Sequence, residues 1–253
     1  MTTHRMFQSL LLILSLSFLL TACAKEKSVA ETRKTLPPAA NAQLDSIVLG
    51  MGCFWGAEKR MAEIPGVVDV ESGYANGDIP GTYEAVLDHE RAMRRGRSDK
   101  RNHAEVVKVT YDPAQTSLET VLIKFWESHD PTQGDRQGND VGSNYRSAVY
   151  THSPAQLEVA NKTRAAYQQA LTQAGKSNIT TEVAPLKTYF SAEDYHQDYL
   201  AKNPKGYCGL GGTGVKYPGT ATQASAPAAP QLEGKALNMQ RQLVVFEAED
   251  CAF

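Results

Sequence analysis

The pentapeptide Gly52-Cys53-Phe54-Trp55-Gly56 constrains this chain more than any other stretch. It follows the apolar residues 47–49 and precedes residues 57–64, whose composition favours a helix. The pattern predicts a strand, a tight turn and a helix, with Cys53 at the turn. Flanking glycines let the backbone turn sharply and leave the sulfur uncovered. A cysteine at a helix N-terminus lies at the positive end of the helix dipole, which favours its thiolate form.

The pentapeptide by itself allows two interpretations. In the first, Cys53 is a reactive thiol beside an apolar wall formed by Phe54 and Trp55. Such a site is suited to chemistry on a small apolar group. In the second, the three side chains form a buried core cluster, since free cysteine is among the most buried residue types.

The length of the chain is sufficient for one well-buried domain. Of its 253 residues, about 175 lie between two peripheral ends, enough to bury a sizeable core. The formal net charge is −2, so the overall charge does not point to nucleic acid as a partner.

The N-terminal residues are predicted to lie outside the fold. Residues 10–20 form an apolar run of eleven residues, too short to span a bilayer comfortably. Leu20-Thr21-Ala22-Cys23 resembles a bacterial lipobox, which implies a signal peptide over residues 1–22, a lipidated Cys23 and a tether over residues 23–45. We therefore expect an exported lipoprotein in the bacterial cell envelope, on the periplasmic side of a membrane, with Ala24 favouring the outer one. The alternatives are an uncleaved anchor or an ordinary signal with a chance cysteine.

The C-terminal residues are predicted to lie outside the domain, and the number of cysteines indicates what kind of thiol chemistry is available. Residues 219–231 are predicted to be a linker, and residues 232–253 a tail that docks or stays disordered. If Cys23 is lipidated, an odd set remains, which implies at least one free or exchanging thiol. That set is Cys53, Cys208 and Cys251, and no two of them have the spacing of zinc ligands.

Residues 46–218 are predicted to form an α/β domain. Apolar patterning predicts strands over 46–50, 67–74, 104–111, 147–150 and 180–185. It predicts a helix from Cys53 to about residue 64, and others over 117–127, 154–174 and 192–200. Strands that alternate with helices indicate an α/β sandwich. Residues 130–144 are predicted to be a long polar loop, and residues 203–218 a Gly-rich irregular segment.

The basic residues 89–101 have two interpretations. The first is a solvated surface loop. The second is a cationic lip that attracts acidic protein substrates or the anionic headgroups near a lipid anchor.

Seven motifs, in order along residues 47–218, together resemble one family, the A-type peptide methionine sulfoxide reductases. They are Gly52-Cys53-Phe54-Trp55-Gly56, Asn102-His103-Ala104-Glu105, Phe125-Trp126-Glu127-Ser128-His129-Asp130-Pro131, Arg136-Gln137-Gly138-Asn139-Asp140, Gly142-Ser143-Asn144-Tyr145-Arg146-Ser147, Ala192-Glu193-Asp194-Tyr195-His196-Gln197 and Tyr207-Cys208-Gly209. The resemblance implies a two-layer α/β sandwich with a mixed sheet and a ferredoxin-like core. It also implies a monomeric enzyme that reduces the S epimer of methionine sulfoxide, in proteins and as the free amino acid, without a bound metal or cofactor.

The resemblance also implies roles for individual residues. Cys53 is the nucleophile, and Glu105 is the acid, whose pKa burial beside aromatic side chains would raise. Tyr83 and Tyr145 are candidate hydroxyl donors to the sulfoxide oxygen, and Asp140 is a candidate orienting group. The alternatives are an exposed Glu105 on an edge strand, two ordinary packing tyrosines and a turn-forming aspartate.

The remaining roles concern substrate binding and recycling. Phe54 and Trp55 are expected to form the pocket for the substrate methyl group. Cys208 is expected to resolve the Cys53 sulfenic acid into a disulfide, which a thioredoxin-like dithiol then reduces. Some relatives carry a further recycling cysteine where this chain has Lys216, and Cys251 is the alternative source of it. The rival functions are a peroxidase, a disulfide exchanger or a binding lipoprotein with an inert thiol.

Overall fold

A computed structural model describes residues 43–207 and 209–219. Its elements, in chain order, are β1 (Asp45–Met51), α1 (Phe54–Ala62), β2 (Val67–Ala75), α2 (Tyr83–Arg94), β3 (Ala104–Tyr111), α3 (Leu118–Ser128), β4 (Arg136–Gln137), β5 (Asp140–Val141), a 3-10 turn (Ser143–Tyr145), β6 (Ser147–Thr151), α4 (Pro154–Gln173), β7 (Glu182–Pro185), β8 (Tyr189–Ser191) and α5 (Tyr199–Lys202). The described residues exclude the predicted signal peptide, the predicted tail over residues 232–253 and all but the first residue of the predicted linker. They also exclude Cys23, Cys208 and Cys251.

The main sheet has six strands in the order β7–β6–β1–β3–β2–β8. Its four central strands are antiparallel and come from two successive strand–helix–strand units, β1–α1–β2 and β3–α3–β6. This interleaved order is that of a ferredoxin-like core. β7 joins one edge in parallel with β6, which makes the sheet mixed, and β8 joins the other edge. The predicted α/β sandwich with a mixed sheet is therefore confirmed.

The core follows from the two-residue period of the strands. Ile47 and Leu49 on β1 pack with buried side chains of α1, α3 and α4 in the larger apolar cluster. Val48 points to the opposite face, where it joins a smaller cluster with Ala148 and Tyr150 of β6. The helices therefore form the second layer on one face of the sheet.

Several local signals in the sequence correspond to observed structure. The strand predicted over residues 104–111 is β3 with the same bounds. Ser117 caps α3, because its hydroxyl accepts a hydrogen bond from the Thr120 N–H at 3.1 Å. Gly175 follows the end of α4 in the left-handed region, at φ +67°.

The prediction of a helix over residues 192–200 is wrong. Strand β8 ends at Ser191, and the residues from 192 to 198 that follow it are irregular or in turns. Only Tyr199–Lys202 is helical. The side chain of Gln197 accepts from the Ser72 N–H and donates to the Ser72 and Ala192 carbonyls, each at 2.9 Å. Asp198 has φ +53°. These side-chain bonds and the left-handed residue interrupt a segment whose apolar spacing resembles a helix.

The prediction of a surface loop over residues 89–101 is also wrong for its first half. Residues up to Arg94 belong to α2, which Thr82 caps by accepting from the Ala85 N–H at 3.3 Å. The predicted polar loop over residues 130–144 contains the β4–β5 hairpin and enters the 3-10 turn. Long-range contacts between these two segments order both of them.

None of the helices in the described ranges combines the length and apolar composition that a bilayer crossing demands.

The turn between β1 and α1 depends on Gly52. Its φ is +94°, and a Cβ added there would lie 2.5 Å from the Cβ of Gln137. Gln137 is buried and bonds the backbone of Asp130 with both atoms of its amide. The turn that carries Cys53 therefore fits closely against the hairpin that precedes the 3-10 turn.

We expect Gly52→Ala to lower the free energy of unfolding by about 2–4 kcal/mol, since it adds overpacking to the cost of a positive φ. Gly96→Ala is the matched control, because Gly96 also has a positive φ, at +64°, but has open space around it. That control should lose only about 1 kcal/mol. Urea denaturation of both variants measures the difference. Equal losses would contradict the close fit.

Candidate active site

Cys53 is the N-cap residue of α1, and 9% of its surface is exposed. The backbone N–H groups of Trp55 and Gly56 in the first turn of the helix lie near the sulfur and lower the pKa of its thiol. The sulfur therefore lies where the sequence predicts, at the end of the helix with unpaired N–H groups.

The predicted preference for thiolate does not hold in this structure. Burial, followed by the nearby Glu105 carboxylate, raises the pKa of the Cys53 thiol to about 12. The N–H groups of Trp55 and Gly56 oppose this rise but do not cancel it. The resting thiol is therefore protonated at neutral pH, because desolvation outweighs the helix N-terminus.

Glu105 lies on β3, between β1 and β2, and only 2% of its surface is exposed. The interpretation as an exposed residue of an edge strand is therefore excluded. One carboxyl oxygen, Oε2, accepts from the Phe54 N–H at 3.3 Å, and Oε1 accepts from the Asn144 amide at 3.3 Å. The N–H of the residue after Cys53 thus joins the carboxyl directly to the cysteine turn.

Burial raises the pKa of Glu105 to about 8, although the Phe54 N–H and the Asn144 amide lower it in part. The charge of Asp140 adds to the rise. Glu105 is therefore largely protonated at neutral pH and can donate a proton there.

Tyr83 and Tyr145 face the same point from two further elements. Tyr83 is the first residue of α2, and its N–H donates to Glu193 at 2.9 Å. Tyr145 ends the 3-10 turn. Burial, followed by the charge of Glu105, raises the pKa of both phenols, and the Cys53 sulfur contributes to both. The hydroxyls are therefore protonated donors near the thiol.

Asp140 completes the group of predicted polar residues. It is partly buried, which raises its pKa, while a hydrogen bond from the Tyr207 side chain lowers it. Its charge raises the pKa of both Cys53 and Glu105. Its Oδ2 atom is buried and has no hydrogen-bond partner within the described part of the chain. The structure thus brings Asp140 to the thiol and the carboxyl.

Phe54 and Trp55 differ in their surroundings. Phe54 is only 2% exposed and packs on Tyr74 and His196, with ring centroids 5.7 and 5.0 Å away. Trp55 is partly exposed and stacks on Tyr199 at 3.7 Å. The accessible apolar wall is therefore the Trp55 indole, and Phe54 supports it from the core.

Two buried side chains hold the Trp55 wall in place. The indole N–H of Trp55 donates to His196 Nδ1 at 3.1 Å. Glu58, also on α1, accepts from the Ser72 hydroxyl at 3.3 Å and from the backbone N–H groups of Asp198 and Tyr199. Helix α1 is therefore bonded directly to the segment that stacks on its own tryptophan.

Sequence reasoning assigned no role to Asn144, His196 or Glu58. The first two lie inside the motifs that carry the family resemblance, which is the one signal that could have drawn attention to them. Within the described ranges no three His, Cys, Asp or Glu side chains are grouped closely enough to hold a metal ion.

The raised pKa of Glu105 makes its contribution to stability depend on pH. The unfolded chain ionises Glu105 above about pH 4.3, whereas the folded protein keeps it protonated up to about pH 8. Its contribution to the free energy of unfolding therefore falls as pH rises between these values.

We expect Glu105→Gln to gain about 3 kcal/mol relative to the unmodified protein between pH 5 and pH 8, because glutamine does not titrate. Urea denaturation at a series of pH values measures this gain. Glu158→Gln, at an exposed position of α4, controls for the replacement itself. A stability difference for Glu105→Gln that stays constant with pH would contradict the buried, protonated carboxyl.

Comparisons with known proteins identify the family of this chain. The family model described as peptide methionine sulfoxide reductase matches residues 45–216. Peptide methionine sulfoxide reductase MsrA of Vibrio parahaemolyticus is 51% identical over 191 residues, which are 75% of this chain and 84% of that protein. MsrA 1 of Synechocystis is 52% identical over 176 residues, 69% of this chain and 75% of that protein.

Solved structures give the same result. Methionine sulfoxide reductase A of Corynebacterium diphtheriae is 45% identical, with a TM-score of 0.57 over 65% of this chain and 77% of that one. Mxr1 of Saccharomyces cerevisiae in its reduced form is 34% identical, with a TM-score of 0.55 over 68% of this chain and 92% of that one. With a thiol, a protonated carboxyl and two phenols around one point, the chain belongs to the peptide methionine sulfoxide reductase family and is an enzyme that reduces methionine sulfoxide.

Proposed function

We propose that this enzyme reduces the S epimer of methionine sulfoxide, in proteins and as the free amino acid, with Cys53 as nucleophile and Glu105 as proton donor. The observation that most supports the proposal is the hydrogen bond from the Phe54 N–H to Glu105 Oε2 at 3.3 Å. It holds a carboxyl with a pKa of about 8 beside the residue that carries the sulfur.

In the first step, the Cys53 sulfur attacks the sulfur of the sulfoxide while Glu105 protonates the sulfoxide oxygen. The proton of the Cys53 thiol passes to the Glu105 carboxylate. The sulfur–oxygen bond of the substrate and the sulfur–sulfur bond made by the attack both break as the oxygen, with its new proton, bonds to Cys53. The products are the methionine thioether and a Cys53 sulfenic acid, so the substrate sulfur is reduced and the cysteine sulfur is oxidised. Tyr83 and Tyr145 donate hydrogen bonds to the oxygen as its negative charge develops.

The Trp55 indole supports selection of a methyl sulfoxide. It offers a flat apolar surface beside the thiol, fixed by the stacking on Tyr199 and by the hydrogen bond to His196. The substrate methyl group packs on this surface, which leaves the sulfoxide oxygen free to face the polar side, where Glu105 lies. Burial of one methyl group is worth only about 1 kcal/mol, so the wall orients the substrate more than it binds it.

In the second step, the Cys208 thiol condenses with the Cys53 sulfenic acid, forming a disulfide and releasing water. A thioredoxin-like dithiol then reduces this disulfide by exchange and is itself oxidised. The Gly-rich sequence around Cys208 and the odd number of cysteines that remains if Cys23 is lipidated support this role. Cys251 is the alternative thiol for a further relay, because Lys216 occupies the place of a second recycling cysteine.

The location of the enzyme is part of the proposal. The apolar residues 10–20 and the lipobox-like sequence ending at Cys23 support export and lipidation. Repair would then take place on the periplasmic side of a bacterial membrane. Loss of membrane association in a Cys23→Ser variant would support the anchor.

A peroxidase or disulfide exchanger is the second candidate, because it would also use Cys53 and Cys208. The position of Trp55 argues against it, since neither hydrogen peroxide nor a disulfide needs an apolar wall beside the thiol.

We expect the protein with excess dithiol to consume the S epimer of a methionine sulfoxide peptide and to leave the R epimer unchanged. Chromatographic separation of the two epimers measures this. Cys53→Ser should abolish consumption of either epimer. Consumption of neither epimer, combined with rapid turnover of hydrogen peroxide, would instead favour the second candidate.

We expect Cys208→Ser to complete one turnover per enzyme but to lose multiple turnover with thioredoxin, because the sulfenic acid forms without being resolved to a disulfide. Comparing the methionine formed in single-turnover and steady-state reactions separates the two effects. Cys251→Ser is the matched variant, and unchanged steady-state turnover in it would reject the relay through the tail.

A further inference from the structure

Glu90 lies on α2 two turns after Tyr83, and its carboxylate is turned inward. Its side chain is 12% exposed. Burial by itself would raise the pKa of Glu90, but hydrogen bonds from Ser143, Arg94 and Asn102 lower it below its ordinary value. The carboxylate is therefore charged and serves as an acceptor for several donors at once.

The donors come from three segments of the chain. Oε2 accepts from the Ser143 N–H at 3.1 Å, from the Ser143 hydroxyl at 2.6 Å and from the Asn102 amide at 3.3 Å. Oε1 accepts from Arg94 Nε at 3.1 Å. Ser143 starts the 3-10 turn, and Asn102 lies two residues before β3. One carboxylate thus joins the turn to the strand that carries Glu105.

The 3-10 turn fits closely on this carboxylate. A Cβ added at Gly142 would lie 3.0 Å from Glu90 Cδ, so the backbone passes directly over the side chain. Arg94 also donates to the carbonyl of Val141 in the hairpin. Helix α2 therefore holds the segment on both sides of Gly142.

The same segment supplies the residues that face the thiol and the acid. Asn144, next to Ser143, donates to Glu105 Oε1 at 3.3 Å and is fully buried. Tyr145 follows and faces Cys53 and Glu105. A shift of the turn would therefore move the Asn144 amide and the Tyr145 hydroxyl together.

We propose that Glu90 is a positioning residue for proton transfer: its carboxylate holds the Ser143–Tyr145 turn against the start of β3, so that Asn144 reaches Glu105 and Tyr145 reaches the substrate oxygen. The inference rests on the proposed role of Glu105 as proton donor.

The charge of Glu90 matters because all of its partners are donors. A glutamine at this position would present an N–H₂ group to at least one of them and leave that donor unpaired. Glu90→Gln therefore keeps the shape of the side chain while it weakens the hold on the turn, because its amide has no charge to strengthen the bonds from Ser143 and Asn102.

We expect Glu90→Gln to slow the single-turnover reduction of a methionine sulfoxide peptide by about 10- to 100-fold, the range for a small misplacement of catalytic groups. The rate should also fall off at a higher pH than in the unmodified enzyme, so that the alkaline limb of its pH profile moves to higher pH. The Asn144 bond lowers the pKa of Glu105, so losing it raises that pKa further.

The titratable groups that face Glu105 are Cys53, Tyr74, Tyr83, Asp140 and Tyr145. The substitution leaves all of them in place.

Asp88→Asn is the matched control, because Asp88 lies on the same helix with its side chain 70% exposed and paired with Arg91. It should leave the rate and the pH limb unchanged. In an Asn144→Ala background, Glu90→Gln should produce no further shift of the limb, since both changes act through one contact. A shift that adds fully to that of Asn144→Ala would overturn the proposal.

Ser143→Ala keeps the proposal testable if Glu90→Gln does not fold. It removes only the hydroxyl donor at 2.6 Å and should slow the reaction by about 10-fold, the lower end of the range for a hydrogen bond to a charged acceptor. Folded variants with the rate and the pH limb of the unmodified enzyme would overturn the role of Glu90. Glu105→Gln with an unreduced rate would instead overturn the role of Glu105 itself, whatever the result at Glu90.

Discussion

The structure depends on one contact, the hydrogen bond from the first N–H of helix α1 to the buried carboxyl of Glu105. It joins the turn that carries Cys53 to the middle of the sheet. Burial at this position has two linked effects: it keeps the carboxyl protonated near neutral pH and it keeps the thiol protonated as well. A site in which both the thiol and the carboxyl hold a proton is suited to removing oxygen from a sulfoxide, because that oxygen leaves only when protonated.

The elements around this contact hold it from two sides. On the apolar side, Glu58 and His196 fix the segment that stacks on Trp55. On the polar side, Glu90 and Asn144 fix the turn that faces Glu105. Both sides use a carboxyl group on a helix, buried at Glu58 and mostly buried at Glu90, to bond backbone N–H groups of an irregular segment. Precise geometry in segments without regular secondary structure therefore comes from side-chain acceptors on neighbouring helices.

Much of the fold could be predicted because its signals are local. The alternation of residues 104–111 predicted β3, and Ser117 and Gly175 marked the ends of two helices. The failures occurred where distant contacts override local preference. Gln197 bonds the backbone at Ser72 and so prevents a helix over residues 192–200. The β4–β5 hairpin and the 3-10 turn are ordered partly by Glu90, which the sequence places about fifty residues away from them.

The sequence by itself determined the family, because seven ordered motifs resemble the peptide methionine sulfoxide reductases and draw attention to a thiol, a carboxyl and an aromatic pair as candidate site residues. Only the tertiary structure decided the protonation states. A helix N-terminus favours a thiolate, yet the sheet and the helices remove enough water from Cys53 and Glu105 to reverse that preference. Desolvation depends on every residue packed around a group, so it cannot be inferred from the neighbours of that group in the sequence.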